Sequence, residues 1–158
     1  MQNKEFIEKL EDYIIDHSSR SAIISILKEL IKDFNGKYDY NLEGVPESLS
    51  IDIYNGKDYL FIDLNNETFN IRFSHSEIFL FNEEINYDDL KILLQEFFAG
   101  NYKFKKYFKD DLLLKQELIF NNLYLSKYNQ IDIYKNLKKS DYLLVDGFNW
   151  FKKTLELG

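Results

Sequence analysis

The stretch from Leu49 to Phe81, LSIDIYNGKDYLFIDLNNETFNIRFSHSEIFLF, decides the fold because its hydrophobic period is two residues. Apolar and polar residues alternate in its first three segments, as in β-strands with one face in the core and one in water. Asn55-Gly56 and Asn65-Asn66-Glu67 interrupt the alternation with turn-forming residues. Ile78–Phe81 is apolar on both faces, so we expect this fourth strand to be covered on both sides. The sequence therefore predicts an antiparallel meander of four strands over residues 49–82.

Two amphipathic segments precede the meander. Apolar residues recur at the helical period over residues 6–14 and again over residues 23–34. Asn35-Gly36 then provides a stop, since glycine accepts the left-handed conformation at a helix end. These features predict a helical hairpin over residues 3–35. Residues 37–47 show no clear period and are predicted to be irregular.

A third helix follows the meander. Asn86 is a suitable N-cap, and Asp88 and Asp89 place negative charge in the first turn, where the helix dipole favours it. Leucines and phenylalanines at helical spacing form one apolar face, and Gly100 ends the pattern. The sequence predicts a helix over residues 87–99 that packs across the sheet.

The rest of the chain, residues 102–157, predicts a further β-hairpin and C-terminal elements. Residues 102–108 and 112–120 are strand-like and flank a turn at Asp110-Asp111. Shorter strand-like segments lie at residues 123–125, 131–134 and 142–145, and Phe148–Leu157 has the pattern of a short amphipathic helix. We expect a single α+β domain over residues 1–158, and periodicity does not decide whether residues 121–158 join the main sheet.

Composition restricts the function. The chain of 158 residues has 20 Lys and Arg against 27 Asp and Glu, which gives a formal charge of −7. Such a charge attracts basic partners and repels nucleic acid and anionic membranes, although it also simply keeps a protein in solution. Strictly apolar runs are about four residues long, whereas a bilayer needs about 20, and the first residues do not resemble a signal peptide. We therefore expect a cytoplasmic protein that does not bind membranes.

The common catalytic motifs are missing from the sequence. Cysteine is absent, and the only histidines, His17 and His75, lie in separate predicted turns without a metal-ligand spacing. The six glycines are isolated, so no phosphate-binding loop is present. We expect no cofactor and no metal. Residue types alone leave a paired-carboxylate hydrolase open, with Asp52 and Asp63 on facing strands of one hairpin, where solvation is the simpler explanation.

One segment opposes the overall charge. Lys103–Lys109 with the preceding Tyr102 interleaves four lysines with four aromatic residues. On a strand this pattern could bind phosphates and stack bases, as in a nucleic-acid-binding module. The alternative, which we favour, is an edge strand protected by its lysines, with its aromatic rings in the core.

Acidic and aromatic residues together indicate a protein interface. Carboxylates steer association with a basic protein, and tyrosine rings anchor it. The alternative is that a helix covers the aromatic residues. The candidate partner-binding residues are Asp52, Tyr54, Tyr59, Phe61, Asp63, Glu83, Glu84, Asp88 and Asp89.

Residues 93–120 also carry a family resemblance. The segment Leu93–Tyr102, LLQEFFAGNY, followed by the lysine-rich strand, Asp110-Asp111 and Leu114–Phe120, LKQELIF, resembles segments of small bacterial immunity proteins. These are the cytoplasmic antidotes of polymorphic and contact-dependent inhibition toxins. The resemblance implies an acidic α+β inhibitor that binds a cognate toxin domain, often a basic nuclease, and blocks its active site or substrate path. It assigns no individual site residue.

The sequence thus predicts a cytoplasmic binding protein rather than an enzyme, in particular an immunity protein that occludes the active site of a cognate toxin. The expected partner is a basic protein. A carboxylate-based hydrolase and a nucleic-acid module using Lys103–Lys109 are the alternatives.

Overall fold

The computed structural model describes residues 2–14, 19–74, 76–135 and 141–152. Two helices begin the fold, α1 over Gln2–Glu11 and α2 over Ser19–Ile31. Their apolar faces point into the core, where α1 contributes Phe6 and Leu10. The helical pair predicted over residues 3–35 is confirmed, while the predicted turn at His17-Ser18 lies outside the described residues.

The first sheet is a five-stranded antiparallel meander in chain order. Its strands are β1 Asp39–Val45, β2 Ser48–Tyr54, β3 Tyr59–Asn65, β4 Thr68–Phe73 and β5 Ser76–Phe81. Strands β2 to β5 confirm the meander predicted over residues 49–82. Ile78 of β5 is buried. The prediction that both faces of this strand are covered also depends on the side chains of residues 79–81, which lie outside the described part.

Strand β1 corrects the prediction that residues 37–47 are irregular. It pairs with β2 along its whole length, from Asp39 beside Tyr54 to Val45 beside Ser48. None of its side chains is fully buried, because β1 is an edge strand at the border of the core. Its inward residues Tyr40 and Leu42 are only half-buried and the next inward position is Gly44, so the alternation is weaker here than in β2 to β4.

Asparagine side chains form the two turns that flank β3. The Asn55 side-chain oxygen accepts hydrogen bonds from the backbone N–H groups of Lys57 and Asp58, at 2.9 and 2.8 Å. Asn65 makes the same pair of contacts with Glu67 and Thr68, at 2.9 and 2.8 Å. Such side-chain bonds stabilise tight turns, so these asparagines fix the register of the meander.

Helix α3 spans Tyr87–Ala99, as predicted. The Asn86 side chain accepts a 3.1 Å hydrogen bond from the backbone N–H of Asp89, which confirms the N-cap. Gly100 ends the helix in the left-handed region at φ 78°. The core-facing side chains of α3 include Leu90, Leu93, Leu94, Phe97 and Phe98.

A second, four-stranded antiparallel sheet follows, in the order β8-β7-β6-β9. Strands β6 (Tyr102–Lys109) and β7 (Leu112–Phe120) form the predicted hairpin, and β8 (Gln130–Ile133) and β9 (Asp141–Asp146) lie on either side of it. The predicted strands at residues 131–134 and 142–145 therefore complete this second sheet and do not extend the first. Strand β6 is an interior strand, not the predicted edge, because β9 returns from far along the chain to pair with it.

Two predictions for the C-terminal third need correction. Residues 123–125, predicted as strand-like, begin a 3-10 helix over Leu123–Tyr128, whose N-cap is Asn122. The predicted helix over Phe148–Leu157 is not formed in its described part, residues 148–152. Trp150 instead makes long-range backbone bonds: its N–H donates to the carbonyl of Phe98 at 2.7 Å, and its carbonyl accepts from the N–H of Asn35 at 3.1 Å. The remainder of that segment lies outside the described residues.

One hydrophobic cluster contains the inner faces of both sheets and the apolar faces of the three helices. Trp150 is nearly inaccessible and lies in the middle of an aromatic group, with ring centroids 5.4 Å from Phe98 and 5.5 Å from Phe34. The helices therefore cover only the inner face of the first sheet, and its outer face stays in contact with solvent.

Candidate functional site

The outer face of the first sheet brings together the predicted residues of β2 and β3. In β2, Ile51 and Ile53 are buried while Asp52 and Tyr54 are exposed, as the alternation of a strand requires. Tyr54 is 47% exposed. We call this surface the acidic face and define it by ten residues: Asp39, Glu43, Asp52, Tyr54, Tyr59, Phe61, Asp63, Asn70, Arg72 and Glu77.

The strand register arranges the acidic face in rows across the sheet. One row places Asp39 beside Tyr54 and Tyr54 beside Tyr59. The next row runs from Asp52 through Phe61 and Arg72 to Glu77. A third row contains Glu43, Ser50, Asp63 and Asn70 in the same order of strands. Aromatic rings thus occupy the middle of the face, and carboxylates lie around them.

Negative charge predominates on the acidic face. Among the described residues that define it, five are carboxylates and one, Arg72, is a cation. The Arg72 guanidinium contacts Glu77 at 3.0 Å, and this hydrogen bond raises the pKa of Arg72. Glu77 also accepts a 2.8 Å bond from the side-chain amide of Asn70, and Asp63 accepts a 3.2 Å bond from the Ser50 hydroxyl. Arg72 therefore balances one carboxylate and leaves the face negative.

A shallow depression of about 400 Å³ lies at the centre of the acidic face. Its lining consists of Asp52, Tyr54, Tyr59, Phe61 and Arg72. The Arg72 guanidinium lies 5.7 Å from the centroid of the Phe61 ring, within the range of a cation–π contact. The depression is therefore lined by three aromatic rings, the Asp52 carboxylate and the Arg72 guanidinium.

Hydrogen bonds hold the tyrosine end of the acidic face against the second sheet. Asp58, in the turn between β2 and β3, is 5% exposed and accepts hydrogen bonds from the hydroxyl groups of Ser74, at 3.2 Å, and Tyr102. Burial, followed by the charge of Asp58, raises the pKa of Tyr102. The Lys57 ammonium donates to the carbonyl of Asp146 at 2.9 Å. The turn that carries Tyr54 and Tyr59 is therefore fixed to β6 and β9.

The other four predicted site residues lie apart from the acidic face. Glu83, Glu84 and Asp88 are exposed at the 3-10 helix Asn82–Glu84 and in the first turn of α3. Asp89 is only 2% exposed. Its carboxylate points into the protein, so Asp89 is not one of the exposed acidic residues.

Asp89 joins α3 to the 3-10 helix Leu123–Tyr128. Its carboxylate contacts the Lys127 ammonium at 2.7 Å and accepts hydrogen bonds from the hydroxyl groups of Tyr124 and Tyr128, at 2.7 and 2.8 Å. The Lys127 contact, followed by the two tyrosine bonds, lowers the pKa of Asp89 to about 2. Burial and the Asp89 contact raise the pKa of Tyr128 to about 12. This arrangement stabilises the fold and leaves the carboxylate no free direction toward a partner.

The two carboxylates of the hydrolase alternative lie in neighbouring rows of the acidic face. Asp52 lines the depression, whereas Asp63 lies one row away and contacts Ser50. General acid–base catalysis by two carboxylates requires both to approach one bond of a substrate. Elsewhere in the described ranges, no group of three or more His, Asp or Glu side chains is placed to hold a metal ion.

The lysine-rich strand β6 is divided between two faces. Tyr102 and Phe104 are buried in the core, so their rings are not available for base stacking. Lys105 lies on the outer face, where its ammonium is 4.4 Å from the ring centroid of Tyr142 and 5.1 Å from that of Tyr107. The nucleic-acid alternative requires lysines and aromatic rings on one surface. Strand β6 places fewer aromatic rings beside its lysines on the outer face than its sequence suggested.

Sequence reasoning missed five members of the acidic face, none of them aromatic: Asp39, Glu43, Asn70, Arg72 and Glu77. Asn70 lies on the same face of β4 as Arg72. Asp39 and Glu43 were missed because β1 was not recognised as a strand. Arg72 and Glu77 lie on the wet face of predicted strands, and extending the alternation of β4 to the next strand would have identified them.

No protein-family model, curated protein or solved structure matches the chain. None of the described helices is long and apolar enough to cross a lipid bilayer. Fold and site together define an α+β protein whose first sheet has an acidic outer face.

Proposed function

We propose that the chain is a binding protein that holds a basic protein partner on its acidic face. Within that class we propose an immunity protein of the bacterial cytoplasm, which neutralises a cognate toxin by occluding its active site. The observation that carries the proposal is the open outer face of the first sheet, where carboxylates surround Tyr54, Tyr59 and Phe61.

The chemistry of this face suits a tight and selective interface. Tyrosine is enriched among the residues that contribute most to binding, because its ring buries a large area at a small entropic cost. Tyr54 is about half exposed and lines the depression, so a partner bound there would bury its ring. The carboxylates around it would accelerate association with a positively charged surface.

A toxin that cleaves or binds nucleic acid fits this description of the partner. Such a protein has a basic substrate path, since phosphate groups must be neutralised when nucleic acid binds. An acidic sheet face that occupies this path excludes the substrate by charge and by volume. The resemblance of residues 93–120 to immunity proteins supports the same class, and it concerns α3 and the β6–β7 hairpin rather than the acidic face.

The test uses a basic toxin domain encoded beside the gene for this chain. We expect a complex with a dissociation constant in the micromolar range or below, and loss of toxin activity at one equivalent of the chain. Tyr54→Ala should weaken binding by about 30-fold, the effect of losing a central anchor. Tyr87→Ala is the control, because Tyr87 is also a partly exposed tyrosine, 36% compared with 47% for Tyr54, and it lies at the first residue of α3, outside the acidic face.

The outcomes separate the two levels of the proposal. A complex that leaves the toxin active would remove the immunity role and retain the binding function. Equal effects of the two alanine substitutions would remove the acidic face as the interface. No complex at micromolar concentration with any such domain would remove the toxin as partner.

A further inference from the structure

Strand β9 gives the second sheet an apolar edge. No described strand pairs with its outer side. Tyr142, Leu143 and Leu144 are 59%, 56% and 51% exposed. Of the two edge strands of the first sheet, β1 is different, because it carries Asp39 and Glu43. Edge strands are commonly protected by charged residues, and an exposed apolar edge is a template for pairing with another strand.

The register of β9 shows which of its backbone groups are free. The N–H of Gly147 donates to the carbonyl of Tyr102 at 3.0 Å, in the same register as the β6–β9 ladder. Hydrogen-bonded and non-hydrogen-bonded pairs alternate in an antiparallel ladder, so Leu143 and Val145 bond to β6. The N–H and C=O groups of Tyr142 and Leu144 therefore point away from the sheet.

We propose that a second copy of the chain pairs with this edge, β9 against β9, around a two-fold axis at Leu143. Residues opposite each other in a sheet must point to the same face, and this register satisfies that condition. Tyr142 of each copy then lies opposite Leu144 of the other, and these are the residues whose backbone groups are free. Two four-stranded sheets would become one continuous sheet of eight strands.

The side chains of β9 suit a second copy. Leu143 meets Leu143, Tyr142 meets Leu144, and Asp141 lies opposite Val145, so no two carboxylates face each other across the axis. Strand β6 places Lys103 beside Asp146 and Lys105 beside Leu144, which offsets negative charge at this edge. Two chains of net charge −7 therefore repel each other less here than they would at the acidic face.

The pairing is held by backbone bonds and apolar contacts and opposed by long-range repulsion between two acidic chains. Added salt screens that repulsion, so the dimer should become tighter as ionic strength rises. Binding of a basic partner to the acidic face has the opposite dependence on salt, because salt weakens attraction between opposite charges. The two associations can therefore be told apart in one titration.

Analytical ultracentrifugation of the full chain, from micromolar to several hundred micromolar, tests the proposal. We expect the average mass to rise from 19.0 kDa toward twice that value as concentration increases. Leu144→Pro removes an outward N–H and should weaken the dimer at least about tenfold without breaking the β6–β9 ladder. Leu144→Lys keeps the backbone N–H and should weaken the dimer by a similar factor. This variant therefore tests the β9–β9 pairing if the proline variant does not fold.

Leu123→Pro is the matched control. Leu123 is 85% exposed and is the first residue of the 3-10 helix after its cap Asn122, a position that accepts proline. This variant should dimerise like the wild type. A chain that stays monomeric throughout, a dimer unaffected by both Leu144 variants, or a dimer that dissociates as salt is added would each overturn the proposal.

Discussion

Asp89 determines where the 3-10 helix Leu123–Tyr128 lies. Its three donors come from residues 35 to 39 positions further along the chain, so one carboxylate closes a long loop. The contacts lower its pKa from 3.8 to about 2, which means that the folded protein favours the ionised form more than the unfolded chain does. A depressed carboxylate pKa adds stability above the unfolded value, and this stability is lost as pH falls through the folded value.

Asp89→Asn should therefore lower the stability of the protein at neutral pH and abolish the part of the acid transition that lies between pH 3.8 and about 2. Urea titrations at a series of pH values measure both effects. Asp88→Asn is the matched control, since Asp88 is its exposed neighbour on the same helical turn. Identical pH profiles for the two variants would show that Asp89 does not hold the loop.

Gly100 is required for two reasons that can be separated. Its φ of 78° is unfavourable for other residues, and a Cβ there would lie 2.9 Å from the carbonyl carbon of Phe148. Gly56 has a similar φ of 93° with nothing within 4 Å of the same position. Gly56→Ala should cost about 1–2 kcal/mol from backbone strain, and Gly100→Ala should cost about 1–3 kcal/mol more because of the clash.

Chemical denaturation of the two alanine variants measures this difference. Equal losses of unfolding free energy would contradict the close approach of the C-terminal segment to the end of α3. That result would also mean that close packing against Gly100 does not explain the long-range backbone bonds of Trp150.

At the scale of elements, the contact between the two sheets depends on Tyr102 of β6. Its hydroxyl donates to the buried carboxylate of Asp58, in the turn at the edge of the acidic face. Tyr102→Phe keeps the ring in the core and removes this donor, which should cost about 1–3 kcal/mol because a buried carboxylate loses a partner.

Tyr107→Phe serves as the control for that substitution. The Tyr107 hydroxyl makes a 3.5 Å contact with Glu117 in a half-buried position on the outer face of β6, so its removal should change stability little. Thermal unfolding of both variants decides between them. A larger loss for Tyr107→Phe than for Tyr102→Phe would contradict the role given to Asp58.

Most of these elements could be predicted because a local sequence pattern is enough to identify each of them. Apolar and polar residues alternate strictly in strands β2 to β4. Both caps of α3, Asn86 and Gly100, are residue types that favour those positions. Strand β1 could not be predicted, since its side chains are exposed or half-buried at the sheet edge. The interior position of β6 depends on β9, which pairs with it from about 40 residues away.

At the scale of the whole molecule, the candidate site was half predictable. A period of two fixes the face of every residue in β2 and β3, so Asp52, Tyr54, Tyr59, Phe61 and Asp63 could be assigned to one surface. The burial of Asp89 could not be predicted, because its donors lie in a 3-10 helix whose sequence suggested a strand. Local patterns give the face of a residue, and long-range packing decides whether that face is open.

The central claim is that the acidic face attracts and binds a basic partner. The most direct test measures the association rate constant with a basic toxin domain at low and at physiological ionic strength. Asp52→Lys combined with Asp63→Lys raises the net charge from −7 to −3 by changes on the face alone. Glu8→Lys combined with Asp33→Lys makes the same change of charge on the helical side.

We expect the wild-type rate constant to fall as salt is added, and the acidic-face variant to associate about tenfold more slowly or worse at low salt. The helical-side variant should lose much less, since local charge counts for more than net charge within a Debye length of the interface. Equal rate constants for the two variants would contradict the claim that this face is the binding surface.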